Sequence, residues 1–171
     1  MICHLGLGSN LGDRLAHLQS AVACLARHGL RVQAASSVYE TSPVGCTVPQ
    51  PDYLNAAVAI ETDLDPHRLV SLLLEIEREL GRTRPARNTP RTIDLDLLLV
   101  GQTESTDAQA VVPHPRLHER LFVLEPLCDI AGEALHPVLH TPMTALRDQL
   151  RASGTERVRL FAPAYSIMRN C

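Results

Sequence analysis

Two carboxylates stand two residues apart in Arg91-Thr92-Ile93-Asp94-Leu95-Asp96. In an extended segment Asp94 and Asp96 share a face, separated by roughly 6.6 Å of rise. Carboxylates converging at that spacing can hold one or two Mg²⁺ ions and leave positions open for water and phosphate oxygens. The alternative for an isolated Asp-x-Asp is an acidic solvent face at a strand start. Just upstream, Arg82, Arg84, Arg87 and Arg91 crowd into one short loop. Guanidinium groups suit bidentate phosphate recognition and the charge that develops in phosphoryl transfer. Acids beside arginines form the donor set a nucleotide-phosphate site needs, although such groups can also neutralise one another as a solvated cluster.

Other residues could add to this chemistry. Tyr53 and Asn55 share a strand face, an aromatic plane beside an amide that can read a flat heterocycle. A partly buried polar pair is the plainer reading. Glu77 lies on the edge of a helical apolar stripe, where it could also be exposed and paired with neighbouring charges. His114 stands between Pro113 and Pro115, four residues before His118. A His-x-x-x-His zinc pair needs a helix, which Pro115 disfavours. A phosphate contact and a plain loop histidine both remain open for His114. The run Gly6-Leu7-Gly8-Ser9-Asn10-Leu11-Gly12 misses the dinucleotide fingerprint by one residue and reads as a tight strand-to-helix turn capped by Ser9 or Asn10.

The elements that must position these groups follow from periodicity. Ile2 to Gly8 is a short apolar strand. Leu15, Leu18, Ala21, Val22 and Leu25 recur at helical spacing between Leu11 and Ala26, and Gly29 ends that helix. Val32 to Tyr39 reads as a second strand, and a proline-rich loop follows through Pro43, Pro49 and Pro51. Tyr53 to Glu61 alternates, with Leu54, Ala56, Val58 and Ile60 on one face. Asp65-Pro66 caps and opens a helix carrying Leu69, Leu72, Leu73, Ile76 and Leu80, closed by Gly81. Thr92 to Val100 is a strand whose Ile93, Leu95 and Leu97 face a core. The order predicts an α+β, ferredoxin-like β-α-β-β-α-β fold, an antiparallel sheet with helices packed on it and a C-terminal extension. One domain is expected over 1–171, with a core of about 2–100 and a mixed extension over 101–171, including helices near Leu121–Ile130 and Thr144–Arg151.

Composition narrows the function classes. All 16 basic residues are Arg, which excludes a Schiff-base lysine and a Walker-A lysine. There is no Trp, and three Tyr with two Phe offer few platforms for stacking nucleic acid bases. The net charge of -3 also argues against a polyanion partner. Five widely spaced cysteines without a Cys-x-x-Cys suit a reducing compartment rather than a disulfide or zinc framework. Neither a signal peptide nor a membrane-length apolar run is visible. A cytoplasmic location and a monomer, without nucleic acid or membrane partners, are expected.

Together the segments Gly8-Ser9-Asn10-Leu11-Gly12, Tyr39-Glu40-Thr41-Ser42-Pro43, Pro51-Asp52-Tyr53-Leu54-Asn55-Ala56-Ala57, Pro90-Arg91-Thr92-Ile93-Asp94-Leu95-Asp96-Leu97-Leu98 and Val112-Pro113-His114-Pro115 resemble the 6-hydroxymethyl-7,8-dihydropterin pyrophosphokinases of folate biosynthesis. They are collinear from residue 5 to about residue 131. The resemblance implies transfer of diphosphate from ATP to the pterin hydroxymethyl oxygen, leaving AMP. It implies that Asp94 and Asp96 hold two Mg²⁺ ions and that Arg82 and Arg91 stabilise the transferring group. Arg84 and Arg87 would support the phosphates, with Glu77, His114 and Arg120 on the ATP side. The reduced pterin would lie between Tyr53 and Phe122, read by Asn55 and by backbone groups of Thr41, Ser42 and Val44. Loops over 43–51 and 82–92 would close over the substrates. Where many members carry Arg-Trp-Gly-Pro-Arg, this chain has Arg87-Asn88-Thr89-Pro90-Arg91 and so no lid tryptophan. Two readings compete: another metal-dependent nucleotidyl- or phosphotransferase, and a nucleotide-binding module of the same fold.

Overall fold

A computed structural model describes residues 1–45, 49–82, 90–154 and 156–168. Its strands are β1 (Ile2–Ser9), β2 (Arg31–Ala35), β3 (Val38–Thr41), β4 (Tyr53–Glu61), β5 (Asp94–Val100) and β6 (Val158–Ala162). The helices are α1 (Arg14–Arg27), α2 (Pro66–Glu79), α3 (Leu121–Ala131) and α4 (Met143–Ser153). The sheet runs β5-β1-β4-β3-β6, with β2 also paired to β4, and every pairing is antiparallel. The expected α+β, ferredoxin-like layout is therefore present.

One core layer lies between the sheet and the first two helices. It contains Leu5, Leu54, Val58 and Ile60 of the strands with Leu18, Leu25, Leu69 and Ile76 of α1 and α2. The second joins Leu98 and Leu99 to Leu124, Leu127 and Met143 of α3 and α4. The opposite faces of β4 explain this division. Its larger side chains enter the first layer, while α3 packs over β4 on the side of the small residues Ala57 and Ala59. A register shift between His4 and Leu5, opposite Leu97 and Leu99, turns both Leu98 and Leu99 towards the second layer. Bulges re-aim side chains in this way. Ahead of the shift, Ile93, Leu95 and Leu97 enter the first layer, as their alternation predicts.

Four sequence expectations are corrected. The stretch from Val32 to Tyr39 is two strands, because Ser36 is fully buried and its Oγ accepts from the Ala57 N–H at 2.8 Å. A side-chain oxygen there takes a position in the ladder and breaks the strand. Helix α1 begins at Arg14 rather than Leu11 and is capped by Asp13, whose Oδ1 accepts from the Ala16 N–H at 3.1 Å. Gly12 makes the preceding turn possible with φ of 60°. Strand β5 begins at Asp94 rather than Thr92. Finally, the C-terminal extension supplies β6, which pairs with β3.

Ser9 and Asn10, the expected caps, do other work. Ser9 Oγ meets His17 Nδ1 at 3.3 Å. Asn10 is buried and joins two loops. Its Oδ1 accepts from the Arg91 N–H at 2.7 Å, and its Nδ2 donates to Gln50 Oε1 and to the Pro51 carbonyl, both at 3.2 Å. Asn10→Ala is expected to cost about 3 kcal/mol of stability, roughly 1 kcal/mol for each lost bond. Urea unfolding checks this, and a loss below about 1 kcal/mol would show the clasp to be incidental.

Candidate active site

The N-terminal end of β5 brings the acids to the meeting point of two clefts. One cleft is lined by Thr41, Ser42, Val44, Tyr53, Asn55 and Phe122, with Gly6, Gly8, Leu98 and Arg120 completing it. The other is lined by Glu77, Arg82 and His114, with Val70, Leu73 and Pro115 among its walls. Arg91, Asp94 and Asp96 line both. All six residues expected around the pterin thus share one cleft. Arg120, expected on the ATP side, lines that same cleft, with its Cζ 5.6 Å from the centre of the Phe122 ring. Arg84 and Arg87 lie outside the described residues, as does the Asn88-Thr89 segment.

The charges are tightly interlocked. Arg82 donates to Asp94 Oδ1 at 2.6 Å and also to Glu77 Oε1. Arg91 donates to Asp94 Oδ2. Glu77 is 1% exposed, which rules out the exposed reading, and it accepts from the Leu95 N–H at 2.8 Å. That bond fixes the start of β5 against α2. Asp96 is partly accessible at the cleft surface, yet burial first, and the Asp94 charge second, push its carboxyl up to about 7. A half-buried pair of acids that resists carrying both charges is suited to a cation, and oxygen donors of this kind suit Mg²⁺.

In the first cleft, Asn55 Nδ2 donates to Thr41 Oγ1 at 2.7 Å. One amide donor is thereby committed. Its Oδ1 approaches Gly8, where an added Cβ would come within 3.2 Å of it, so a small residue keeps that oxygen accessible. The wall bearing Thr41 is braced by Glu40, which accepts from Arg14 at 2.8 Å and from Arg159 of β6. Arg14 also donates to the Asp52 carbonyl at 2.7 Å.

Burial first, then the charges of Arg120 and Arg116, lower the His114 ring to about 4. Its Nδ1 accepts from the Arg116 N–H at 3.2 Å, so the neutral ring carries its proton on Nε2. An unfolded histidine titrates near about 6.5. Between that value and about 4 the unfolded chain binds a proton that the native chain does not. The stability contributed is complete above the upper limit and is lost as pH falls through this window. His114→Gln is expected to flatten that part of the acid limb. Urea unfolding at the two ends of the window checks it, and an unaltered slope would refute the buried neutral ring.

Another set of ligand-type atoms, Cys24, His28 and Glu79, lies away from the clefts. Arg27 donates to Cys24 Sγ at 3.2 Å and to Glu79 Oε1 at 2.5 Å, so a guanidinium takes the place of a cation there. Neither Asn10 nor the Arg14–Glu40–Arg159 brace was visible in sequence as part of the site. Each acts through partners far away in the chain, and only the Gly-Ser-Asn turn marked one of them.

The family description 7,8-dihydro-6-hydroxymethylpterin-pyrophosphokinase (HPPK) matches residues 4–132. A 2-amino-4-hydroxy-6-hydroxymethyldihydropteridine pyrophosphokinase of Bacillus subtilis (strain 168) is 51% identical over 133 residues, covering 77% of this chain and 79% of that protein. The protein of the same name from Methylorubrum extorquens is 45% identical over 162 residues, covering 91% and 97%. In fold, the chain resembles the crystal structure of wild-type Plasmodium falciparum HPPK-DHPS, with a TM-score of 0.70 at 15% identity. That match covers 88% of this chain and 45% of the longer one. On the span of the family match and the identity to these relatives, this chain belongs to the 7,8-dihydro-6-hydroxymethylpterin-pyrophosphokinase family.

Proposed function

We propose that the chain transfers the terminal diphosphate of ATP to the hydroxymethyl oxygen of 6-hydroxymethyl-7,8-dihydropterin, releasing AMP, as a step of folate biosynthesis. The observation that carries this reading is the position of Asp94 and Asp96, shared by a cleft with aromatic and amide walls and a cleft with arginine and histidine walls. Tyr53 and Phe122 would hold the pterin ring between their faces. Asn55, with one N–H committed to Thr41, would offer its oxygen to a ring donor. Backbone groups of Thr41, Ser42 and Val44 would complete the recognition.

On the other side, His114 would donate its Nε2–H to a phosphate oxygen, and Arg82 and Arg91 would move from Asp94 to the transferring group. Arg120, above Phe122, would approach the phosphates from the pterin side. Asp94 and Asp96 would hold two Mg²⁺ ions, which would supply positive charge to offset that of the phosphates. The barrier in such a transfer is mostly alignment and repulsion between an oxygen nucleophile and a polyanion. Neither needs a covalent intermediate on the protein. We further propose that the chain acts as a monomer, with residues 1–171 as one domain. Among the described residues no helix is long and apolar enough to cross a membrane.

The test is product analysis from ATP and MgCl₂ with and without the pterin. Pterin-dependent AMP supports the proposal. ADP would assign an ordinary phosphotransferase to the same acids, and ATP binding without product would assign a binding module.

A further inference from the structure

Helix α3 starts at the pterin cleft, with Arg120 as its N-cap residue, and that residue makes no side-chain capping bond. The first N–H groups of an α-helix have no acceptor within the helix. Here the N–H groups of Leu121 and Phe122 donate to the two carboxylate oxygens of Glu156, each at 3.1 Å. Glu156 lies between α4 and β6, outside the residues 4–132 that the family description matches. Its segment is held on both sides. Arg151 of α4 grips Glu125 of α3 at 2.5 and 2.7 Å, and β6 is paired to β3. A carboxylate at a helix N-terminus both satisfies the orphan donors and meets the positive end of the dipole.

We infer that Glu156 is a positioning residue for the pterin cleft, fixing the start of α3 and thereby the Phe122 ring and the Arg120 guanidinium above it. The inference rests on the pterin reading given above. One of the two capping bonds is made by the Phe122 backbone itself, so losing the cap moves the ring directly. Arg82, Asp94 and His114 stand on other segments and do not depend on this helix start. The effect therefore falls chiefly on the pterin, and on the ATP side reaches only the Arg120 approach to the phosphates.

The experiment compares the parent protein with Glu156→Ala, Glu156→Gln and a control, Asp65→Ala. Asp65 caps α2 through the Arg68 N–H at 3.0 Å and does not line either cleft, so its loss is of the same kind but remote. Pterin binding is followed by the fluorescence of the ring in the presence of a non-hydrolysable ATP analogue, beside KM for both substrates and thermal unfolding. Glu156→Ala is expected to weaken pterin binding about tenfold, the scale of a lost cap, with KM for ATP within about twofold. Glu156→Gln, which keeps one acceptor oxygen, is expected to recover most of that loss. Asp65→Ala is expected to lower thermal stability with pterin binding unchanged. Unchanged pterin binding in Glu156→Ala, equal weakening of both substrates, or the same weakening in Asp65→Ala would each overturn the inference. If Glu156→Ala does not fold, Glu156→Asp decides, since its shorter side chain keeps the charge and draws the carboxylate back from the two N–H groups: selective weakening for pterin supports the inference and none overturns it. A parent protein that binds no pterin would instead overturn the pterin reading, before any variant is compared.

Discussion

Asp96→Asn is expected to lower diphosphate transfer by roughly 10³-fold or more in a protein that remains folded. The substitution keeps the shape of the side chain and removes one of the two charges that would hold the cations. Folding should not suffer, because the surroundings already disfavour that charge. Burial, then Asp94, raises the Asp96 carboxyl to about 7, against about 3.9 in an unfolded chain. In metal-free protein, between those values, the unfolded chain gives up a proton that the native chain keeps. Stability therefore falls as pH rises through the window, and the loss is complete above it. Asp96→Asn should match the parent below the window and exceed it in stability above, when both are measured by urea unfolding with a chelator present. His114 acts in an overlapping window with the opposite sign, since its neutral form, which the fold prefers, is the deprotonated one. Only the separate variants distinguish the two. Near-parental turnover in Asp96→Asn, or a collapse of its folding, would contradict the assigned metal role.

What was legible in the sequence was local. Two-residue alternation placed Asp94 and Asp96 on one face and Ile93, Leu95 and Leu97 on the other. The same alternation put Tyr53 and Asn55 together on the cleft side of β4. The Asp65-Pro66 start and Gly81 end of α2 were written in adjacent residues, and Gly81 has the positive φ of 81° that such an ending needs. Illegible features depended on partners distant in the chain. Ser36 divides a strand through the Ala57 N–H, and nothing in the pattern from Val32 to Tyr39 announces that bond. Strand β6 escaped because it is an edge with Leu160 65% and Phe161 45% exposed, so it lacks the buried face that makes a strand readable. Asn10 and Glu156 are single polar residues whose acceptors and donors lie across the fold. Such bonds have no period. For the site itself, residue types gave the chemistry and the resemblance gave the roles, while the sharing of Asp94 and Asp96 between two clefts emerged only from the folded geometry.

Arg91→Ala is expected to reduce kcat by about 10²- to 10⁴-fold while changing KM for ATP little, and to do so more cleanly than Arg82→Ala. Both guanidinium groups rest on Asp94 in this structure. The proposed reaction has them exchange that carboxylate for the transferring phosphates, so each should matter most where charge develops. Their surroundings differ. The Arg82 side chain is 8% exposed and its partner Glu77 is 2% exposed. Removing Arg82 leaves a deeply buried carboxylate short of a guanidinium, a loss that typically costs about 3–5 kcal/mol. Arg91 has a side chain 26% exposed, and the loop it stands on is held by backbone bonds to Asn10 that alanine retains. Its removal is therefore expected to spare folding. Arg91→Lys should not restore the rate, because an ammonium is a point donor and cannot span two phosphate oxygens as the planar fork does. Steady-state kinetics with both substrates varied, beside melting curves for each variant, separates these effects. A large rise in KM for ATP at unchanged kcat would make Arg91 a ground-state nucleotide contact and remove it from the group that acts on the transferring diphosphate.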